Sequence, residues 1–425
     1  MNKALILQTF MRARYFHGFK NRKKLESYQQ KQLAKQLSYM TKKSPYFRQY
    51  EGRPLEDFPY MDKKIMMDNF DNMNTAGIHK EDALQLAIDS EKSRDFSDKL
   101  HGYSVGLSSG TSGHRGVFVL SDNEIATWVG GMMAKMLPKG KVFGTKVAFF
   151  LRADNNLYES SNSKALQFEF FDILKPMNEN IEKLQQFQPT ILVAPPSVLL
   201  LLADAVNDKK LSIDPTRIIS VAEVLTESDE KYFKKVFKQN IIYQVYQCTE
   251  GFLAYTCEHG SLHLNEDVVY VEKEYLDDKR FMPIITDFVR KTQPIIRYRL
   301  NDILVEEKKP CKCGTSMLRL KKIEGRMDDI FELEGMNGDV VSVFPDFISR
   351  VVLYVPNIKN YRVVQETPQK VVFYLDNISV KNIKLIKKEF SALAKKMNFR
   401  MPDVSFEKYQ PDFSRKMKRV ERIKK

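Results

Sequence analysis

The chain has 425 residues, of which 43% are hydrophobic and 29% charged, and it carries a net charge of +14. This length and composition predict two or three domains with sizeable cores and exclude collagen-like, low-complexity and wholly disordered proteins. No apolar run reaches the roughly 18 residues that span a bilayer, and the apolar patch from Ala4 to Leu7 is too short for a secretory leader. Four cysteines in so long a chain are not a disulfide framework, so we expect a cytoplasmic location.

The positive charge is concentrated at the two ends of the chain. Residues 1–50 hold twelve Lys or Arg against one acid, Glu26, and the last eleven residues hold seven against Glu421. Such ends attract nucleic acid, an anionic membrane surface or a polyanionic small molecule, although solvated helix faces and a basic tail are the commoner explanation. No RNA-binding signature or Cys/His finger accompanies them, so no specific nucleic acid is expected. A peripheral membrane contact through the basic N-terminal helix and a homodimer are left open.

Hydrophobic periodicity predicts helices first and then an alternation of strands and helices. An amphipathic helix is predicted over residues 25–50, ending at Ser44-Pro45, and a short one over 63–70. Buried strands are predicted at 147–151, 190–195, 217–223 and 241–247, with helices at 196–207 and 227–238 between them. This alternation predicts an α/β fold with much parallel pairing.

The final hundred residues predict a small separate α+β unit with a strand at 371–376 and a helix at 380–397. The predicted organisation is a basic helical region (1–103) packed on a large domain (104–324), followed by a small C-terminal domain (325–425).

The sharpest local motif is a loop of small residues that runs from Ser108 to Gly116. Its glycines and hydroxyls allow N–H and O–H donors to converge on one point, and Arg115 adds a cation, which is the arrangement that a polyphosphate needs. No G-K-S/T follows, so the loop is not a P-loop. A Ser/Gly-rich loop taken by itself is more often a linker.

The loop resembles the S-S-G-T-S/T-G-x-P signature of the adenylate-forming superfamily, and further motifs follow in that superfamily's order. The closer likeness is to its phenylacetate–CoA ligase and CapK-like branch, from about residue 25 to the C-terminus. The matching segments are LAKQLSYMTKKSPYFRQY (33–50), LEDFPYMDKKIMMDNF (55–70), SVAEVLTE (220–227), YQCTE (246–250), LHLNED (262–267), PIIRYRLND (294–302), IEGRMDD (323–329) and KMKRV (416–420).

The resemblance implies a nucleotide site. Ser108, Ser109, Gly110, Thr111, Ser112, Gly113 and Arg115 would bind the phosphates of ATP, and Ala222 and Glu223 would lie near adenine. Tyr246 would stack on adenine, Thr249 would contact the α-phosphate, Glu250 would hold Mg²⁺, Asp302 would bind the ribose and Arg326 would touch the nucleotide. Without the motif, these residues would be read as core aromatics, surface charges or turn caps.

The resemblance also implies a reaction. ATP would adenylate a carboxylic acid, releasing pyrophosphate, with Lys416 as the catalytic residue and Asp328 as the hinge of a mobile C-terminal domain. A thiol, coenzyme A by resemblance, would then attack the acyl-adenylate. Lys418 competes with Lys416 for the catalytic role. Alternatives left open are nucleotide transfer to a non-carboxylate acceptor and a non-catalytic basic scaffold with a decayed ATP site.

Two departures from the family pattern bear on this reading. Arg115-Gly116 stands where many relatives have Pro followed by Lys or Thr, so the phosphate contact differs in detail. Gln247 replaces the glycine of Y-G-x-T-E, and in the superfamily that glycine lies beside the acyl pocket. A bulkier amide there would shorten or polarise the pocket, which argues against a phenylacetate-type acid.

The cysteines form a second constellation. Cys311 and Cys313 sit in a C-x-C-G turn that can present two thiolates to one metal, and the resemblance places Cys257 and His263 near them. Together they make a Cys₃His set suited to a structural Zn²⁺. His259 competes with His263, and reduced, unligated thiols are the alternative.

Overall fold

The computed structural model describes residues 2–16, 18–107, 116–140, 144–151, 166–353, 355–412 and 416–423. The chain divides into two compact units. The first comprises residues 1–300 and 306–322, and the second comprises residues 301–305 and 323–425.

The first unit alternates helices and strands along most of its length. Its described helices are α1 (Lys3–Met11), α2 (Arg22–Lys43), α3 (Lys63–Asp68), α4 (Phe70–Met73), α5 (Lys80–Ser93), α6 (Asp122–Met136), α7 (Met177–Phe187), α8 (Pro196–Asn207) and α9 (Glu227–Val236). Its described strands are β1 (Lys99–Leu100), β2 (Tyr103–Leu107), β3 (Val117–Leu120), β4 (Thr145–Leu151), β5 (Leu166–Asp172), β6 (Ile191–Ala194), β7 (Arg217–Val221), β8 (Ile242–Cys248), β9 (Gly251–Thr256), β10 (Leu262–Leu264), β11 (Val269–Tyr275), β12 (Arg280–Asp287) and β13 (Tyr298–Arg299).

A large mixed sheet forms the centre of this unit. Strands β5, β4, β6, β7 and β8 are parallel neighbours in that order. Strand β9 then pairs antiparallel with β8, and β10 pairs antiparallel with β9. Strand β15 (Arg319–Arg326), which begins in this unit, pairs with β10, and β11 pairs with β12. Strands β1, β2 and β3 form a separate small sheet. The expected α/β fold with parallel pairing is confirmed.

The burial of β6 shows why its sequence is uniformly apolar. Ile191 and Val193 face one hydrophobic cluster with residues of α6, whereas Leu192 and Ala194 face another with residues of α7, α8 and α9. Side chains alternate between the two faces of a strand, so a strand covered by helices on both sides needs apolar residues at every position. Helix α8 begins with Pro196 at its first position, where a missing N–H costs no hydrogen bond.

The second unit packs helices on one side of a small sheet. Its described elements are β14 (Asp302–Glu306, mostly in this unit), β16 (Phe331–Glu334), β17 (Val340–Val343), α10 (Pro345–Leu353), β18 (Tyr361–Thr367), β19 (Lys370–Leu375), α11 (Val380–Met397), β20 (Asp403–Lys408) and β21 (Val420–Arg422). The sheet order is β20-β19-β18-β21, with β21 parallel to β18. Ser379 caps α11 through the Asn382 N–H, and Phe390 packs edge-on against Phe373 of β19. This is the α+β unit that the sequence predicts.

Candidate nucleotide site and Cys₃His cluster

The tight turn between β8 and β9 presents the two residues assigned to phosphate and metal. Cys248 pairs with Gly251 across the antiparallel strands, so Thr249 and Glu250 form the two-residue connection. A register irregularity follows Tyr246, whose ring is buried. Glu250 is only 9% exposed. A carboxylate at this depth requires a partner that offsets its lost hydration.

Two side chains from a later segment hold this turn. The Tyr298 hydroxyl donates a hydrogen bond to Glu250, and burial followed by the Glu250 charge raises the pKa of Tyr298. Arg290 is also buried, and its Nη1 lies 2.8 Å from the Thr249 carbonyl oxygen. The turn is therefore fixed from the side chain of Glu250 and from the backbone of Thr249.

The same segment also holds β3, the strand that follows the predicted phosphate loop. Gln293 is fully buried; it accepts from the Val119 N–H at 3.0 Å and donates to the Val117 carbonyl at 3.3 Å. The loop itself, Ser108 to Arg115, lies outside the described residues. The strand that follows the loop, β3, is anchored by Gln293 to the same segment from which Arg290 contacts Thr249.

Ala222 and Glu223 follow β7. Ala222 has a φ of +68°, in the left-handed region that side chains with a Cβ rarely adopt. Glu223 accepts hydrogen bonds from both the N–H and the hydroxyl of Ser197, each at 3.1 Å, in the first turn of α8. This carboxylate therefore ties the end of β7 to the start of α8.

In the second unit, Asp302 and Arg326 lie side by side. The Arg326 Nε is 3.3 Å from Asp302 Oδ1, and both side chains are partly exposed. The predicted hinge residue, Asp328, accepts a hydrogen bond from Asn301, and the Met327 N–H donates to the Asn301 carbonyl at 2.9 Å. Asn301 is therefore tied to the predicted hinge turn through both its side chain and its backbone carbonyl.

Both candidate lysines lie in the second unit. Lys418 forms an ion pair with Asp329, at 2.8 Å between Nζ and Oδ1, and the Asp329 side chain is 7% exposed. Lys416 lies two residues earlier, four positions before β21 begins, and is half-buried. Lys418 is therefore held at the hinge turn of its own unit.

The Cys₃His set comes together in the first unit. The ligand atoms of Cys257, His263, Cys311 and Cys313 all lie within 4.8 Å of one another. His263 Nδ1 is 3.2 Å from the Met317 carbonyl, so Nδ1 carries the proton and Nε2, 3.5 Å from Cys313 Sγ, faces the thiols. His259, the competing histidine, is exposed and outside the cluster.

Comparison with known proteins gives partial sequence matches and a nearly full-length structural match. No protein-family profile matches the chain. Protein CapK of Staphylococcus aureus is 29% identical over 157 residues, 36% of this chain and 34% of that protein. Phenylacetate-coenzyme A ligase of Thermus thermophilus is 25% identical over 198 residues, 43% of each chain. The chain thus spans about a third to two fifths of the length of these curated relatives.

The structural match covers 94% of this chain and 88% of a crystal structure of 2-hydroxyisobutyryl-CoA ligase in the postadenylation state, with a TM-score of 0.68 at 13% identity. At that identity the likeness establishes the fold, and the matches to the curated relatives add the family. The chain is similar in sequence to curated proteins of the adenylate-forming superfamily and shares the fold of its ligases. The family and the fold expected from its motifs are confirmed.

Sequence reasoning missed two residues that hold the superfamily's Thr249-Glu250 turn. Tyr298 lies inside the motif PIIRYRLND, so its position in a nucleotide-binding motif could have predicted a role at the site. Arg290 carries no such signal, because its contact with Thr249 depends on how strands distant in sequence fold together. The Lys418–Asp329 pair was also missed, although it joins two motifs, KMKRV and IEGRMDD, that were both recognised.

Proposed function

We propose that this chain uses ATP to convert a carboxylic acid into an acyl-adenylate and then transfers the acyl group to a thiol, coenzyme A. The supporting observation is the buried Thr249-Glu250 turn, which Tyr298 and Arg290 hold from two directions. A buried carboxylate fixed at a strand end, beside a segment that anchors the phosphate loop's following strand, suits a bound nucleotide. The match to 2-hydroxyisobutyryl-CoA ligase, whose structure holds an acyl-AMP, supports the same reaction class.

The residues fit Mg²⁺ as the nucleotide's counter-ion. Glu250 supplies the carboxylate oxygen that this hard cation prefers, and in nucleotide sites one or two carboxylates plus phosphate oxygens suffice. When bound, the ion would neutralise phosphate charge. Thr249 would offer a hydroxyl to the α-phosphate, and Tyr246 an aromatic face to adenine.

In the first step, a substrate carboxylate oxygen would attack the α-phosphorus of ATP and pyrophosphate would leave. Negative charge grows on the bridging oxygen, and the Lys416 ammonium would stabilise it there. In the second step a thiolate would attack the acyl carbon and AMP would leave. Gln247, in place of glycine, would shorten or polarise the acyl pocket, which favours a small or hydroxylated acid over phenylacetate.

ATP–pyrophosphate exchange against aryl, short-chain and hydroxy acids tests the first step. We expect exchange with one acid class, lost by at least about a hundredfold in Lys416→Ala and retained in Lys395→Ala, an exposed lysine of the same unit. Adding coenzyme A should then produce a thioester. ATP binding without any exchange would favour nucleotide transfer to a non-carboxylate acceptor, and no ATP binding would favour the scaffold.

We further propose that the Cys₃His cluster binds a structural Zn²⁺. Three thiols and an imidazole form a complete tetrahedral set, which leaves no open position for a substrate. Thiolate ligands and ATP both suit a reducing compartment, so a cytoplasmic location is part of this proposal.

Elemental analysis of the purified chain checks the metal. We expect one zinc per chain in the wild type and in Cys248→Ser, whose cysteine lies outside the cluster, and loss of zinc in Cys313→Ser. Removal of the metal should lower stability by several kcal/mol, because a structural site's binding energy is folding energy. Zinc that remains bound in Cys313→Ser would contradict this ligand set.

A further inference from the structure

The N-terminal segment exposes large apolar side chains along one side. In α1 and the π-helical turn that continues it (Arg12–Phe16), Leu7 is 62% exposed, Met11 43%, Tyr15 64% and Phe16 76%. Leu7, Met11 and Tyr15 are spaced four residues apart, the interval that places side chains on one helical face. We name these four residues the N-terminal apolar face. A contiguous face of this kind marks a contact with another surface more often than scattered single residues do.

The opposite side of the segment is fixed to α6. Gly130 of α6 lies so close to α1 that a Cβ there would be 2.5 Å from the Ile6 carbonyl oxygen. Phe10 packs into the hydrophobic cluster beside α6. Arg14 donates to the Ala134 and Leu137 carbonyls at 2.6 and 2.7 Å, which satisfies the open end of α6. The segment cannot turn its apolar face inward without losing these contacts.

The charge around the face identifies the kind of surface. Residues 2–25 contain seven Lys or Arg and no Asp or Glu. Lys3 and Arg12 are both exposed, and Lys3 lies four residues before Leu7, the spacing of one helical face. Leucine and aromatic side chains flanked by lysine and arginine are the composition of helices that lie in the headgroup region of an anionic membrane.

We propose that the N-terminal apolar face docks this protein onto an anionic membrane surface. At nine residues, α1 is only about 14 Å long, so it would lie in the interface rather than cross it. Among the described residues, no helix is long and apolar enough to span a bilayer. A second copy of the chain fits this face less well, since a symmetric contact would bring two sets of Lys3 and Arg12 together.

Vesicle co-sedimentation of the full chain tests the proposal without any assay of adenylation. We expect binding to phosphatidylcholine vesicles that contain phosphatidylglycerol, weak binding to phosphatidylcholine alone, and loss of binding at high salt. The double variant Leu7→Gln/Phe16→Ser should weaken binding by at least about tenfold, from the two lost apolar anchors. Arg12→Gln should weaken it about fivefold and reduce the salt dependence.

The matched control is Val340→Ser/Val380→Ser, which removes two exposed apolar side chains of the second unit, 68% and 72% exposed, and should bind as the wild type does. An unchanged emission spectrum of Trp128, on α6, checks that the variants keep the α1–α6 packing. The proposal is overturned if anionic vesicles do not bind, or if the Leu7→Gln/Phe16→Ser variant binds as well as wild type. It is also overturned if light scattering shows a dimer that this variant converts to a monomer while vesicle binding is absent.

Discussion

Replacing Glu124 with glutamine should destabilise the first unit far more than its position near a helix N-terminus suggests. Glu124 is 5% exposed, and its carboxylate joins α6 to the segment that holds Thr249 and β3. It accepts from the Ser121 N–H at 2.7 Å and from the backbone N–H groups of Lys291 and Thr292 at 2.7 and 2.9 Å. The Ser121 and Thr292 hydroxyls donate to it as well.

The magnitude follows from what an amide can do in the same place. The glutamine oxygen can still accept the hydrogen bonds from the Lys291 and Thr292 N–H groups. Its NH₂ group would then face the Ser121 N–H, and two donors cannot bond to each other. One buried donor without an acceptor costs about 1–3 kcal/mol, and loss of charge on the remaining bonds costs about 1 kcal/mol more. We therefore expect Glu124→Gln to lower the free energy of unfolding by about 2–4 kcal/mol.

Urea unfolding followed by tryptophan fluorescence measures this loss directly. Trp128 is the chain's single tryptophan and lies on α6, one helical turn beyond Glu124. The matched control is Asp122→Asn in the same first turn of the helix, whose exposed ion pair with Lys99 is worth about 1 kcal/mol at most. If Glu124→Gln costs no more than Asp122→Asn, the reasoning about the buried carboxylate is refuted.

The same comparison has a predicted pH dependence. Burial opposes ionisation of Glu124, but the hydrogen bonds from Ser121 and Thr292 outweigh it and hold its pKa below the ordinary value of 4.5. A lowered pKa in the folded state gives stability that is present above pH 4.5 and is lost as the pH falls through the lowered value. The difference between wild type and Glu124→Gln should therefore shrink below about pH 4.5.

Three further predictions concern the site and its hinge. Tyr298→Phe removes the hydrogen bond to Glu250, so pyrophosphate exchange should fall about tenfold and need more Mg²⁺; an unchanged Mg²⁺ titration would contradict the positioning role. Lys418→Met and Asp329→Asn should each destabilise the second unit by about 1–3 kcal/mol, and a double-mutant cycle should show coupling, whereas additive losses would mean that the pair contributes nothing. Burial raises the pKa of Asp287 to about 6, so the folded state keeps a proton that the unfolded state loses near pH 4. The free energy of unfolding should therefore decline in the wild type, but not in Asp287→Asn, as the pH rises from about 4 to about 6; parallel pH profiles from urea unfolding would argue against this.

Local sequence signals predicted much of the fold because they act over a few residues. The range predicted for α8 begins at Pro196, and that for α11 ends at Met397, as the structure has them. Proline favours the first position of a helix, and asparagine tolerates the left-handed conformation that Asn398 adopts after α11. Both residue types therefore mark a helix end in the sequence itself. The helix α1 was not predicted, because its stability comes from packing on α6 around Gly130.

The choice between neighbouring alternatives required the tertiary structure. His259 and His263 are equally plausible ligands in the sequence, but His263 lies on β10, whose pairing with β15 puts its ring beside the Cys311–Cys313 turn. The ion pair between Lys418 and Asp329 likewise cannot be read from the sequence. Each of these contacts joins residues at least 48 positions apart in the chain.

The sequence by itself determined the superfamily, the alternation of strands and helices, and the set of residue types that a nucleotide and a metal require. Those properties are encoded in short motifs and in the periodicity of apolar residues, both of which can be read from the sequence alone. The tertiary structure decided which buried groups hold the Thr249-Glu250 turn and which side of the N-terminal segment is left exposed. Both outcomes depend on contacts between segments that are far apart in the sequence. Only in the folded chain do buried charges find their partners and apolar side chains find the surface that buries them.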